Sequence, residues 1–176
     1  MKRELEALRT LVGTPERSTE FARIGKGCVI DPRASVFAGP GSEVLIEPYT
    51  KIYRGSEIFG PVSIGEGTFI NRDAYIRSHT TIGKNVNIGP FCRFLTDSHD
   101  PGSTRKRAGK NRVDEIVIGD GCWIGGSSTI LGGVRIGHNS VIAAGAVVTS
   151  NVPPNTLYAG VPARRIRDLD ELVEAD

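Results

Sequence analysis

A histidine flanked by aspartates opens the longest break in the repeating pattern of this chain: Leu95-Thr96-Asp97-Ser98-His99-Asp100-Pro101-Gly102. Histidine is the side chain best suited to take a proton near neutral pH. A carboxylate on its second ring nitrogen, from Asp97 or Asp100, would fix the tautomer, as in any base–orienter pair. The residues alone also allow a solvated loop histidine. The chain has three histidines. The other two, His79 and His138, fall at turn positions inside regular repeats, where a solvated side chain is the ordinary reading. The same break carries Arg105, Lys106, Arg107, Lys110 and Arg112, which read either as a solvated loop or as an attractor of anions.

A repeat must hold these residues in place. Ile46, Ile52, Ile58, Ile64, Ile70, Ile76, Ile82 and Ile88 stand six apart, and Phe94 continues the frame. The period resumes at Ile118, Ile124, Ile130, Ile136, Ile142 and Val148, and Ile24, Ile30 and Val36 keep it upstream. Four residues after most of these comes a small one, such as Cys28, Thr50, Ser56, Thr68, Cys92, Cys122 or Ser140. No α-helix has a six-residue apolar period. A fixed short period marks a solenoid, each repeat one short strand and a turn. Three hexads make a triangular coil of eighteen residues, and eighteen hexads make six coils. The frame sorts them into three sides. Ile46, Ile64 and Ile82 belong to the first, Ile52, Ile70 and Ile88 to the second, Ile58, Ile76 and Phe94 to the third. The steps from Val36 to Ile46 and from Phe94 to Ile118 are ten and twenty-four residues, so four and eighteen are inserted. Both insertions leave the third side and re-enter on the first, and so emerge at one corner. Corner loops are where solenoids usually carry function.

The predicted organisation is an N-terminal helical segment (1–20), a β-helix (21–152) with a corner loop (96–115), and a tail with a helix (153–176). Leu5, Leu8 and Val12 share one face of a short helix over 3–12, and Ile166, Leu169, Leu172 and Val173 suggest another over 163–174. Net charge is +2, which demands neither nucleic acid nor a membrane surface. The apolar run Val141–Val148 is too short to span a bilayer, so no membrane insertion is expected. The three cysteines all sit at the small-residue position of a hexad, which reads as small buried thiols in a cytoplasmic protein.

The pattern resembles the hexapeptide-repeat transferases, whose fold is a left-handed parallel β-helix. The left hand is implied by that resemblance, because ordinary crossovers are right-handed. Ser98-His99-Asp100, then Ile118-Gly119-Asp120-Gly121-Cys122-Trp123-Ile124-Gly125, is similar to the galactoside, maltose and exopolysaccharide sugar O-acetyltransferases. The likeness continues through Gly133–Gly137 and Ser140–Thr149 and ends in Ala159-Gly160-Val161-Pro162-Ala163-Arg164-Arg165-Ile166, covering roughly residues 60–167. An all-β solenoid is the expected fold. The likeness implies acetyl-CoA as co-substrate, and no metal is expected. It implies His99 as general base beside Asp97 and Asp100, and acceptor contacts from Asn71 and Asp73. A homotrimer is expected on geometric grounds, because Asn71 and His99 leave different corners and a shared site needs the face of a neighbouring prism. Acetyl-CoA would lie near Trp123, Gly126, Ala144, Thr149, Arg164 and Arg167. Ser150 stands where some relatives have a lysine. Direct transfer to a sugar hydroxyl is then the expected reaction. Three rivals share the repeat. A zinc hydratase needs three converging histidines, two of them close in sequence, whereas here they are twenty and thirty-nine residues apart. A non-catalytic scaffold has no use for the His99 loop. A nucleotide-sugar N-acetyltransferase shares the cofactor pattern and differs in the acceptor.

Overall fold

The computed structural model describes residues 20–169, and every regular element among them is a β-strand. Strands are numbered in chain order. The first side holds β1 (Ala22–Ile24), β4 (Val44–Ile46), β7 (Val62–Ile64), β10 (Thr80–Ile82), β15 (Ile116–Ile118) and β18 (Arg135–Ile136). The second holds β2 (Val29–Ile30), β5 (Lys51–Ile52), β8 (Phe69–Ile70), β11 (Asn87–Ile88), β16 (Trp123–Ile124) and β19 (Val141–Ile142). The third holds β3 (Ser35–Phe37), β6 (Glu57–Phe59), β9 (Tyr75–Ile76), β12 (Arg93–Leu95), β17 (Thr129–Leu131) and β20 (Val147–Val148). All pairs within a side are parallel. This is the predicted left-handed prism of six coils, stacked at about 4.8 Å per layer.

The register explains the period. Ile30, Ile52, Ile70, Ile88, Ile124 and Ile142 face one another in order up the second side. Val36, Ile58, Ile76, Phe94, Ile130 and Val148 do so up the third. Their side chains fill the axis of the prism; nearly all are fully buried. Each buried isoleucine contributes about 1.5–3 kcal/mol relative to leaving it exposed.

The small residues do more than fit corners. Thr50, Ser56, Thr68, Cys122 and Ser128 each donate from the side chain to a backbone carbonyl fifteen residues ahead, in the next coil. Cys28 and Cys92 donate to carbonyls nineteen and thirty-three residues ahead. Those offsets are the same fifteen, lengthened by the four- and eighteen-residue insertions that intervene. Buried hydroxyls and thiols therefore stitch coil to coil, and none of these is left unpaired in the core. The glycines after the first side's isoleucines have a steric reason. A Cβ on Gly65 would lie 2.5 Å from the Gly83 carbonyl carbon, and one on Gly119 would lie 2.6 Å from the His138 nitrogen.

Both insertions do emerge at the third-to-first corner. The shorter closes on itself through a Gly39–Ser42 bridge. The longer is a β-hairpin of β13 (Asp97–Pro101) and β14 (Ala108–Val113). The prism also continues past residue 152, because β21 (Thr156–Gly160) pairs parallel with β19 as a further layer on the second side. The tail corrects one expectation. Residues 163–168, expected in a helix, form strand β22 (Ala163–Asp168), antiparallel to β21. The reason is the open end of the sheet: β21 would otherwise present a row of unpaired backbone groups. Leu169, also expected in that helix, has no regular structure and donates its N–H to the Asn155 carbonyl. The predicted helix over 3–12 and residues 170–174 of the other lie outside the described residues.

Candidate active site

The hairpin sets His99 on β13, exposed and directly opposite Asn111 of β14. Its Nδ1 lies 3.2 Å from the Gly109 carbonyl oxygen. A carbonyl only accepts, so this contact is a hydrogen bond when Nδ1 carries the proton, and the Nε2 lone pair then faces outward. The partner that orients the ring is thus a backbone carbonyl rather than Asp97 or Asp100. Those carboxylates are engaged elsewhere. Asp97 accepts from Arg77 Nε at 3.0 Å. Asp100 lies 3.4 Å from an Arg112 nitrogen, and Arg112 Nε also meets Asp114 at 2.6 Å. Gly109 is required where it is. A Cβ there would lie 2.7 Å from the Asp100 carbonyl oxygen and 3.1 Å from Gly102 Cα, at the bulge that follows His99. Sequence reasoning missed both Gly109 and Arg77. A backbone acceptor carries no signature. Arg77 did leave one: in the third side's corner column of Phe37, Phe59, Arg77, Leu95, Leu131 and Thr149, it alone is charged.

Asn71 and Asp73 lie at a different corner, where the second side turns into the third. The Asn71 Oδ1 accepts from the Arg72 backbone N–H at 2.7 Å. Asp73 turns the corner at φ 58°, with its carboxylate 3.7 Å from Arg72. The width of the third side separates these residues from His99 within one prism. The residues expected to lie along acetyl-CoA divide likewise. Trp123, 59% exposed, projects from the second side between Asn87 and Val141. Gly126 and exposed Ala144 turn the second-to-third corner. Arg164 and Arg167 lie on β22, at the end of the sheet that holds Trp123. Thr149 stands apart from these, exposed just past β20, at the corner from which the hairpin leaves. On the first-side flank of that corner runs an open groove lined by Arg23, Leu45, Ser63, His79 and Glu115.

All three thiols are free and buried. Burial pushes Cys92 and Cys122 up to about 11 and raises Cys28, so none is a ready nucleophile. Among the described residues, no cluster of three or more His, Cys, Asp or Glu side chains could hold a metal ion. No helix among them is long and apolar enough to cross a membrane.

Residues 61–95 and 115–150 match the family described as bacterial transferase hexapeptide (six repeats). Galactoside O-acetyltransferase of Escherichia coli is 36% identical over 138 residues, covering 77% of this chain and 66% of that protein. Galactoside O-acetyltransferase of Lactococcus lactis is 30% identical, covering 92% of this chain and 74% of the relative. The chain spans just under two thirds of the Escherichia coli protein and 64% of a putative acetyltransferase from Saccharomyces cerevisiae. Among solved structures, a Vibrio cholerae hexapeptide-repeat acetyltransferase complexed with acetyl coenzyme A superposes with a TM-score of 0.63 at 32% identity, covering 96% of this chain and 90% of that one. The chain belongs to the hexapeptide-repeat acyltransferase family.

Proposed function

We propose that this protein transfers an acetyl group from acetyl-CoA directly to a hydroxyl of a sugar or polysaccharide precursor, with His99 as general base. The observation that carries the reading is the His99 ring, held at Nδ1 by a backbone carbonyl on an exposed hairpin strand. Nε2 takes the acceptor's proton as its oxygen attacks the thioester carbonyl. The tetrahedral oxyanion needs donors, most simply backbone N–H groups at glycine-rich turns. It collapses to the ester, and the coenzyme A thiolate leaves and recovers the proton from the imidazolium. With both substrates bound together, proximity supplies much of the acceleration and no acyl-enzyme is needed. The relatives named for galactoside O-acetylation and the acetyl-CoA complex support the substrate classes.

The working unit in this reading is a homotrimer. Asn71 and His99 sit at different corners, so one site uses both only when a neighbouring prism brings its corner across. Three-fold packing does this for every site. Trp123, Gly126, Ala144, Thr149, Arg164 and Arg167 hold acetyl-CoA, and Asn71 and Asp73 hold the acceptor. Asp97 and Asp100 act as supports of the hairpin. Among the described residues Arg105, Lys106 and Lys110 have no acidic partner, so they are free to draw an anionic acceptor or a coenzyme A phosphate. Free buried thiols suit the reducing cytoplasm.

The test is a thiol-release assay with acetyl-CoA across simple sugars, nucleotide-sugars and amines, with sedimentation of the same sample. Turnover on hydroxyl acceptors by a trimer is expected. Turnover confined to amines would move the protein to the N-acetyltransferases. A fully active monomer would end the shared-site reading.

A further inference from the structure

Arg77 follows Ile76 at the third-to-first corner, in the coil directly before the hairpin. Its backbone N–H donates to the Phe94 carbonyl at 3.1 Å, so it is fixed against the strand from which the hairpin departs. Its guanidinium forks onto Asp97: Nε lies 3.0 Å from Oδ1, and a terminal nitrogen lies 3.5 Å from Oδ2. The same group rests on a bed of rings. It is 5.2 Å from the centroid of Phe59 and 6.0 Å from that of Tyr75. Phe59 is itself stacked on Phe37 at 4.5 Å and set edge-on against Tyr75 at 5.5 Å. A planar cation bound bidentately and stacked on aromatic faces is geometrically defined in a way that a lysine is not.

Asp97 precedes His99 by two residues on β13, so both side chains leave the same face of that strand. The ladder between them is regular, Asp97 opposite Val113 and His99 opposite Asn111, and the bulge begins only after His99. A restraint on Asp97 therefore reaches His99 through undistorted strand. The other hold on the ring, the Gly109 carbonyl, lies on the opposing strand. We propose that Arg77 is a positioning residue for His99: through Asp97 it fixes β13 on the prism so that the ring keeps Nδ1 on the Gly109 carbonyl and turns Nε2 outward. The catalytic meaning of this rests on the base role proposed above. The geometric claim does not. The alternative is an ordinary surface ion pair, worth little and transmitting nothing.

The experiment reads the ring directly. The full chain is labelled with 15N-histidine, and long-range 1H–15N spectra are recorded at neutral pH. The three histidines are assigned from His79→Gln and His138→Gln. Wild type is expected to show His99 as the Nδ1–H tautomer. Arg77→Ala and Asp97→Asn should both convert it to a mixture, Arg77→Lys only partly, with the melting curve unchanged. On a simple alkyl galactoside, kcat should fall about ten- to a hundredfold in each single variant, while the KM for acetyl-CoA stays the same. The double variant should be no worse than either single one. An unchanged tautomer with unchanged kcat reduces Arg77 to a surface pair and overturns the proposal. An unchanged tautomer with a fallen kcat also overturns it, because Arg77 then touches acceptor. A shifted tautomer in a protein that acetylates no hydroxyl supports the positioning and rejects the base role instead.

Discussion

The prism and the hairpin satisfy their polar groups in opposite ways. Inside the prism, most of the small buried hydroxyls and thiols bond to backbone carbonyls of the next coil. On the hairpin, charged side chains bond to one another in water: Arg77 with Asp97, Arg112 with Asp100 and Asp114. The first arrangement is costly to break because doing so strands a buried hydroxyl or thiol. The second adds little stability pair by pair, whatever it does to fix the direction of the groups it joins. Stability is thus concentrated in coils that repeat, and the proposed base His99 stands on a strand pair that does not. The separation predicts that the two properties can be damaged independently.

The sharpest attempt to break that separation is His99→Ala. Turnover should fall about two to four orders of magnitude, the usual loss of a general base, with the melting curve unmoved. Steady-state kinetics and calorimetry on one sample check both halves. A drop in melting temperature comparable to that of a core variant would mean that the hairpin is part of the stable fold. The reverse case is Ile88→Ala, at the centre of the second side and fully buried. It should cost about 2–5 kcal/mol in chemical denaturation while turnover per folded molecule is retained.

Two smaller changes sharpen the contrast. Thr68 donates to the Gly83 carbonyl at 2.8 Å and accepts from the Val86 N–H at 3.1 Å. Thr68→Val keeps the shape and strands both groups, so a loss of about 1–3 kcal/mol in denaturant midpoint analysis is expected. The prism has one charged exception. Buried Asp31 accepts from the Arg33 backbone N–H and from its guanidinium at 2.9–3.0 Å, and that guanidinium holds its carboxyl below the ordinary value. A depressed native pKa means stability that is present above the unfolded carboxylate range and lost as pH falls through the lower native value. Asp31→Asn should therefore cost about 1 kcal/mol near pH 7 and become neutral in strong acid, as read from urea unfolding at both pH values. Equal pH dependence in variant and wild type would remove Asp31 from the account.

The prism was legible because a triangular coil requires one aliphatic residue in every six, and interrupting that rule is costly. The three sides, the six coils and the shared exit corner all follow from the frame that runs from Ile24 to Val148. The separation of Asn71 from His99 follows from it too. The tail was misread because Ile166 fits a helical spacing with the leucines after it. Pairing with the free edge of β21 outweighed that local pattern. At the hairpin, His99 stood out by residue type, but its orienting partner did not. Aspartates beside a histidine look like orienters, and only three-dimensional placement reveals that Arg77 and Arg112 hold them. The Gly109 carbonyl is invisible to any reading of side chains, although a Cβ on Gly109 would press on the Asp100 carbonyl oxygen and one on Gly102 on the Lys106 carbonyl oxygen, which explains why both are glycine.

The fifteen-residue offset shared by most of the side-chain bonds between coils has a consequence for how such a molecule can be altered. The bonds from Cys28 and Cys92 reach the correct coil across four and eighteen extra residues. The third-to-first corner is thus a socket, and the stitching on either side does not register what is plugged into it. A hairpin moved to the same corner of the preceding coil, between Ser78 and His79, would keep its orientation and descend by one layer, about 4.8 Å. The solenoid would then act as a ruler, setting the height of a reactive group in steps without redesign of the body that carries it.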